Sequence, residues 1–178
     1  MLNISCFTYI YALSPQDNLE YEGIDVSNWQ RNIDYSQVKN AGIQVVYIKA
    51  SEGTTFKDPY LETNYRNAKA NGLKVGFYHF LTATTISGAE RQAIFFESVI
   101  EGKEVDCKLA MDYEQFYGVG REQINQIAAA FIRKLKQITG KDVIVYSNLN
   151  NVRNTFNSRV ASEGKLWLAY YSNTRKFG

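Results

Sequence analysis

Six short apolar runs, separated by stretches with helical spacing, constrain this chain more than any other feature. They are Gly23–Val26, Val45–Ala50, Lys74–Phe80, Leu109–Asp112, Asp142–Tyr146 and Leu166–Tyr170. Several are apolar at nearly every position, the pattern of strands covered on both faces, as parallel strands in α/β proteins are. Helical spacing falls near residues 34–41, 58–71, 87–101, 121–139 and 149–158. It is clearest in the fourth, where Ile124, Ile127, Ala128, Phe131, Leu135 and Ile138 recur on one side and Gly140 supplies a stop. Repeated βα units imply a right-handed parallel α/β architecture, either a barrel or an open doubly wound sheet. No Gly-x-Gly-x-x-Gly follows the first strand and no Walker sequence occurs, so the nucleotide-binding readings lose their main support and a barrel is preferred.

In a barrel the reacting groups gather at the carboxyl ends of the strands. Polar residues do mark those ends: Asp25 on the first strand, Lys49 and Glu52 on the second, Tyr78 and His79 on the third, Asp112 and Glu114 on the fourth, Tyr146 on the fifth, Trp167 and Tyr170 on the sixth. Asp112 and Glu114 matter most. Residues two apart on a strand share a face, with Cα atoms roughly 6.5 to 7 Å apart. Two like charges in a partly desolvated cleft cannot both ionise freely, so one keeps its proton near neutral pH. Acids at a strand end more commonly cap a helix or sit in solvent, but six polar strand ends together weigh against that simpler account. A Glu flanked by two Asp and by aromatic rings suits hydrolysis of a glycosidic bond, in which one carboxylic acid protonates the leaving oxygen and another carboxylate handles the electrophilic side.

Other chemistries fit less well. A chain of 178 residues, 45% hydrophobic and 21% charged, is the size and balance of one globular domain. A net charge of +2 from scattered Lys and Arg makes no basic stripe for nucleic acid, and leaves only a mild attraction to an anionic polymer such as a cell wall. Most of the 13 Tyr and 10 Phe are expected to fill the interior, with a minority lining a sugar cleft. Cys6 and Cys107 match no metal or redox spacing, and Cys107 precedes a buried strand, where an inert thiol is expected. His79 is the only histidine, so neither a metal site nor a Ser-His-Asp triad is favoured, and no cofactor is expected. No apolar run reaches a membrane span's length, which is roughly 18 residues or more. The opening fifteen residues resemble a signal-peptide core without a basic flank. Residues 1–21 are therefore expected to be an extension or leader remnant, and 22–178 the domain.

Taken in order and spacing, Gly23-Ile-Asp-Val-Ser-Asn-Trp-Gln, Tyr47-Ile-Lys-Ala-Ser-Glu-Gly, Gly76-Phe-Tyr-His-Phe, Met111-Asp-Tyr-Glu, Val145-Tyr-Ser-Asn and Leu166-Trp-Leu-Ala-Tyr-Tyr resemble the glycoside hydrolase family 25 lysozymes, muramidases of bacteria and phage endolysins. The resemblance covers about Glu22 to Tyr171. It implies a flattened TIM-like (β/α) barrel and a peptidoglycan substrate, cut at the β-1,4 bond between N-acetylmuramic acid and N-acetylglucosamine. By position, Glu114 corresponds to the general acid, Asp112 to the carboxylate that orients or polarises the 2-acetamido group, and Asp25 to an electrostatic partner. Lys49, Glu52, Tyr78, Tyr146, Trp167 and Tyr170 correspond to groove-lining, substrate-binding positions. The family barrel has eight strands, whereas this chain stops shortly after the sixth, so the last two strands are expected to be missing. A fragment of a longer lysozyme is the favoured explanation. A degenerate relative that binds glycan without turnover is the second, and a leading segment that partly covers the gap is the third. Weak or no activity is the corresponding expectation for the 178-residue chain. A chitinase-type barrel is the rival within the class, but its longer Asp-x-x-Asp-x-Asp-x-Glu pattern is broken here by Leu109, Ala110 and Met111.

Overall fold

A computed structural model of the chain describes residues 21–169, so all but Tyr21 of the expected leading segment 1–21, and Tyr170, lie outside the described residues. The strands are β1 (Gly23–Val26), β2 (Val45–Glu52), β3 (Phe56–Lys57), β4 (Lys74–Phe80), β5 (Leu109–Asp112), β6 (Val143–Asn148) and β7 (Lys165–Ala169). The helices are α1 (Tyr35–Asn40), α2 (Leu61–Ala70), α3 (Ile86–Ile100), α4 (Arg121–Thr139), α5 (Leu149–Asn154) and α6 (Ser158–Glu163), with a 3-10 turn at Asn28–Gln30. Six strands run parallel in the order β1-β2-β4-β5-β6-β7, and β3 pairs antiparallel with the end of β2. A doubly wound sheet reverses its strand order part-way and carries helices on both faces. Here the order follows the sequence, as in a barrel.

The two faces of the sheet have separate interiors. Val46 and Ile48 of β2, Val75 and Phe77 of β4, Leu109 and Met111 of β5, and Val143 and Val145 of β6 are buried against Phe96 of α3 and Ile127, Phe131 and Leu135 of α4. Alternate residues of the same strands, Val45, Tyr47, Ala110 and Ile144, join Trp167 and Cys107 in a second, smaller cluster edged by Tyr21, Tyr78 and Tyr146. No helical residue enters that second cluster. The sheet curls into a half-barrel whose helices all lie outside it. Its concave face is thereby left open.

Local chemistry sets the element boundaries. Helix α4 stops where Gly140 adopts the left-handed region at φ 66° and donates its N–H to the Lys136 carbonyl, a conformation in which a Cβ would be strained. Helix α3 starts at Thr85, whose hydroxyl accepts from the Gly88 N–H at 3.1 Å. The single helix expected over 149–158 is two, α5 and α6. Asn125, fully buried on α4, enforces the break: its amide donates to the Thr155 carbonyl at 2.9 Å and its oxygen accepts from the Asn157 N–H at 2.8 Å. Those groups would otherwise continue the helix ladder. Asn157 then caps α6 through the Arg159 N–H. Cys107 is a free, buried thiol, pushed up to about 12 chiefly by burial. Among the described residues no helix is long and apolar enough to cross a membrane.

Candidate active site

Parallel register assembles the site. Phe80, Asp112, Tyr146 and Trp167 pair successively across β4, β5, β6 and β7. One rung earlier, Lys49, Tyr78, Ala110 and Ile144 do the same across β2, β4, β5 and β6. The rungs are two residues apart, so both rows face the concave side. Beneath them Tyr47 pairs with Asp25 on one side and Gly76 on the other. A Cβ on Gly76 would stand 2.6 Å from the Tyr47 ring, so only glycine lets that ring lie across the sheet. Tyr47 is pinned there by its hydroxyl, which donates to the Lys108 carbonyl at 2.8 Å. Its ring meets Trp167 at 5.0 Å between centroids, and Trp167 meets Tyr146 edge-on at 4.9 Å. These rings form an aromatic floor.

Above the floor opens a cleft of about 360 Å³, part of it open to solvent, lined by Asp25, Tyr78, Asp112, Glu114, Tyr146 and Trp167. One Asp112 carboxyl oxygen and the Trp167 indole nitrogen are sealed from solvent and have no hydrogen-bond partner among the described residues. Burial holds the Asp112 carboxyl well above the ordinary carboxylate range; Glu114 and Asp25 push it further, with a smaller push from Glu52, while Lys49 opposes them. Glu114 is also raised, first by burial and then by Asp25, against the hydrogen bonds it accepts from Asn148. The side-chain amide of that residue lies at 3.5 Å from the Glu114 carboxyl. Tyr78, hydrogen-bonded to the Ser27 side chain, is raised by burial and by Asp25 and Asp112. The arrangement favours the protonated form of a carboxyl group beside a cavity open to a polar ligand.

Of the residues picked out from the sequence, Asp25, Asp112, Glu114, Tyr78, Tyr146 and Trp167 meet in this cleft. Lys49 and Glu52 stand beside it and bind each other at 2.7 Å, with the ammonium 5.4 Å from the Phe56 ring centre and 5.3 Å from that of Phe80. Tyr170 is outside the described residues. His79 is fully buried on the opposite face, stacked on Phe131 at 5.3 Å. Sequence reasoning missed Asn148 and Asn151. Asn148 touches the Glu114 carboxyl, and Asn151 donates to the Glu114 carbonyl at 3.1 Å. The signal for Asn148 was available, because it stands two residues beyond Tyr146 on the same strand face. Among the described residues no three or more His, Cys, Asp or Glu are placed to hold a metal ion.

Comparison with known proteins agrees with this geometry. The autolytic lysozyme of Clostridium acetobutylicum is 39% identical over 150 residues, covering 84% of this chain and 45% of its own. Lysozyme M1 of Streptomyces globisporus is 33% identical over 172 residues, covering 90% of this chain and 58% of its own. The chain thus spans about half the length of these curated relatives. The crystal structure of the bacterial lysozyme from Streptomyces coelicolor superposes with a TM-score of 0.71 at 30% identity, over 84% of this chain and 74% of that one. The model for "Glycosyl hydrolases family 25" matches residues 24–177. With a parallel half-barrel, acids at its strand ends and a family match over most of its length, the chain belongs to glycosyl hydrolase family 25.

Proposed function

We propose that the protein is a peptidoglycan hydrolase, an N-acetylmuramidase that cuts the β-1,4 bond between N-acetylmuramic acid and N-acetylglucosamine. The observation that carries this reading is the pair Asp112 and Glu114, both raised, in one cleft at the carboxyl ends of the strands of a family 25 half-barrel. Two relatives named as lysozymes support the substrate.

Glu114 is the general acid. It lies two residues beyond Asp112, past the end of β5, and is half-buried, so it can keep a proton against the substrate and recover one from solvent. Asp112 sits deeper, with one oxygen sealed off, which suits a group that holds and polarises the 2-acetamido group of the sugar. The acetamido oxygen then serves as the internal nucleophile. Asp25, across the cleft, keeps both other acids raised. Tyr78, Tyr146 and Trp167 line the groove for the sugar rings. Lys49 and Glu52 act from its margin, and Tyr170 completes the proposed substrate-binding set.

Release of reducing ends from purified peptidoglycan by a longer, folded form of the chain tests the assignment. Glu114→Gln removes the proton donor with little change of shape, and the rate should fall by about 10²- to 10⁴-fold. A Glu114→Gln protein that matches the parent would overturn the assignment of the acid. In a longer, folded form of the chain, binding to peptidoglycan with no release of reducing ends would overturn the hydrolase reading itself.

A further inference from the structure

Strand β2 contains one residue too many. Its register with β4 runs one for one from Val45↔Lys74 to Lys49↔Tyr78, then resumes at Ser51↔His79, which leaves Ala50 as a bulge. In a regular strand Lys49 and Glu52, three apart, would face opposite sides. The bulge turns them to one side, where the Lys49 ammonium reaches the Glu52 carboxylate at 2.7 Å. The ammonium also lies 5.3 Å from the Phe80 ring centre, and Phe80 is the direct strand partner of Asp112. Bulges commonly re-aim side chains beside active sites.

A buried hydrogen-bond chain grips this bulge from behind. The Ser51 hydroxyl lies 2.8 Å from His79 Nδ1, and His79 Nε2 lies 3.0 Å from Gln92 Oε1. Gln92 Oε1 also accepts from the Thr82 backbone N–H at 3.0 Å, and Gln92 Nε2 donates to the Thr82 hydroxyl at 3.1 Å. A backbone N–H can only donate, so the Gln92 amide has one orientation. His79 Nε2 therefore carries the ring hydrogen, and Nδ1 accepts from Ser51. Ser51 and His79 are fully buried and Gln92 nearly so, and none of the three lines the cleft. A slip of β2 by one residue would pull Ser51 away from His79 and exchange the faces of its neighbours.

We infer that the buried Ser51–His79–Gln92 chain is a positioning device: it fixes which residue of β2 bulges, and so holds the Lys49 ammonium beside the carboxyl cluster. Ser51 and His79 are positioning residues that act through Lys49. Other groups facing Asp112 are Asp25 of β1, Glu52 of β2, Tyr78 of β4, Glu114 beyond β5 and Tyr146 of β6. Lys49 is the cation among them. The inference rests on the hydrolase reading only for its consequence on rate, because the placement of Lys49 is measurable without turnover.

The test is a ¹³C NMR titration of the Asp112 carboxyl in the whole chain. Lys49→Met should raise its midpoint by about 1 pH unit, the loss of a nearby opposite charge. Ser51→Ala should move the midpoint in the same direction, and His79→Phe likewise. His79 stays neutral above about pH 4, so its replacement changes no charge in the window and can act only through geometry. Ser51→Thr, which keeps the hydroxyl, should titrate like the parent. Combining Ser51→Ala with Lys49→Met should add nothing to Lys49→Met alone. Ser51→Ala removes one oxygen and so keeps the test open if His79→Phe does not fold. The inference is overturned if Ser51→Ala leaves the Asp112 midpoint where the parent has it, or if its shift adds fully to that of Lys49→Met. The titration needs no turnover, so failure of the hydrolase reading would leave it readable.

Discussion

His79 shows how one residue's surroundings reach the behaviour of the whole protein. Burial is the main cause that lowers its imidazole from 6.5 to about 4, with Lys49 adding to the fall and the Gln92 hydrogen bond opposing it. Unfolded chains take up this proton near pH 6.5, but the folded protein does so only near pH 4. Between those values the unfolded state binds more protons, so the contribution is whole above pH 6.5 and is lost as pH falls toward 4. A depression of that size corresponds to about 3 kcal/mol. Urea unfolding at pH 7 and pH 4.5 should show this loss in the parent and not in His79→Phe; equal pH dependence in the two would remove the argument. Asp25 works in the opposite sense, as a like charge that raises both Asp112 and Glu114. A general acid works while protonated, so Asp25→Asn should let Glu114 lose its proton sooner. The alkaline limb of the pH–rate profile should then move to lower pH, and a limb that stays put would show that Asp25 does not tune the acid.

Among the elements, β4 carries the tightest steric demand. Because the Tyr47 ring occupies the space above Gly76, Gly76→Ala must push that ring or part β2 from β4. Overpacking of this kind costs about 1 to 3 kcal/mol, to be seen as a lowered urea midpoint; an unchanged midpoint would mean that the ring has room to move. The six parallel strands were legible because each is a short, largely apolar run, and α4 because its stripe ends at a glycine. What was not legible depends on partners distant in sequence. The split between α5 and α6 is made by Asn125, 30 and 32 residues away from the groups it holds. The short strand β3 is two exposed residues, with no pattern to announce it. The bulge at Ala50 shows only in the pairing with β4. Strand ends drew attention to Asp25, Asp112 and Glu114, which share one cleft, since any polar residue there is conspicuous. His79 lies one residue from Tyr78 and so faces the other way, away from the cleft.

Taken as a molecule, the half-barrel separates folding from chemistry by the side of a sheet and not by region of the chain. The helices and the larger core lie on the convex side, whereas the carboxylates and the aromatic floor lie on the concave side. Neighbouring residues of one strand consequently answer to different requirements. In an exhaustive survey of single replacements along β4, polar substitutions at Val75, Phe77 and His79 should deplete folded protein. Those at Tyr78 and Phe80 should leave soluble, folded protein with impaired binding in the proposed glycan groove. Gly76 should break the alternation and behave like its convex neighbours, because of Tyr47. A uniform loss of soluble protein at all these positions would contradict the division. If it holds, tolerance to change oscillates along the strand with a period of two, and the groove can be re-tailored to another polysaccharide by rewriting alternate letters while the letters between them stay untouched.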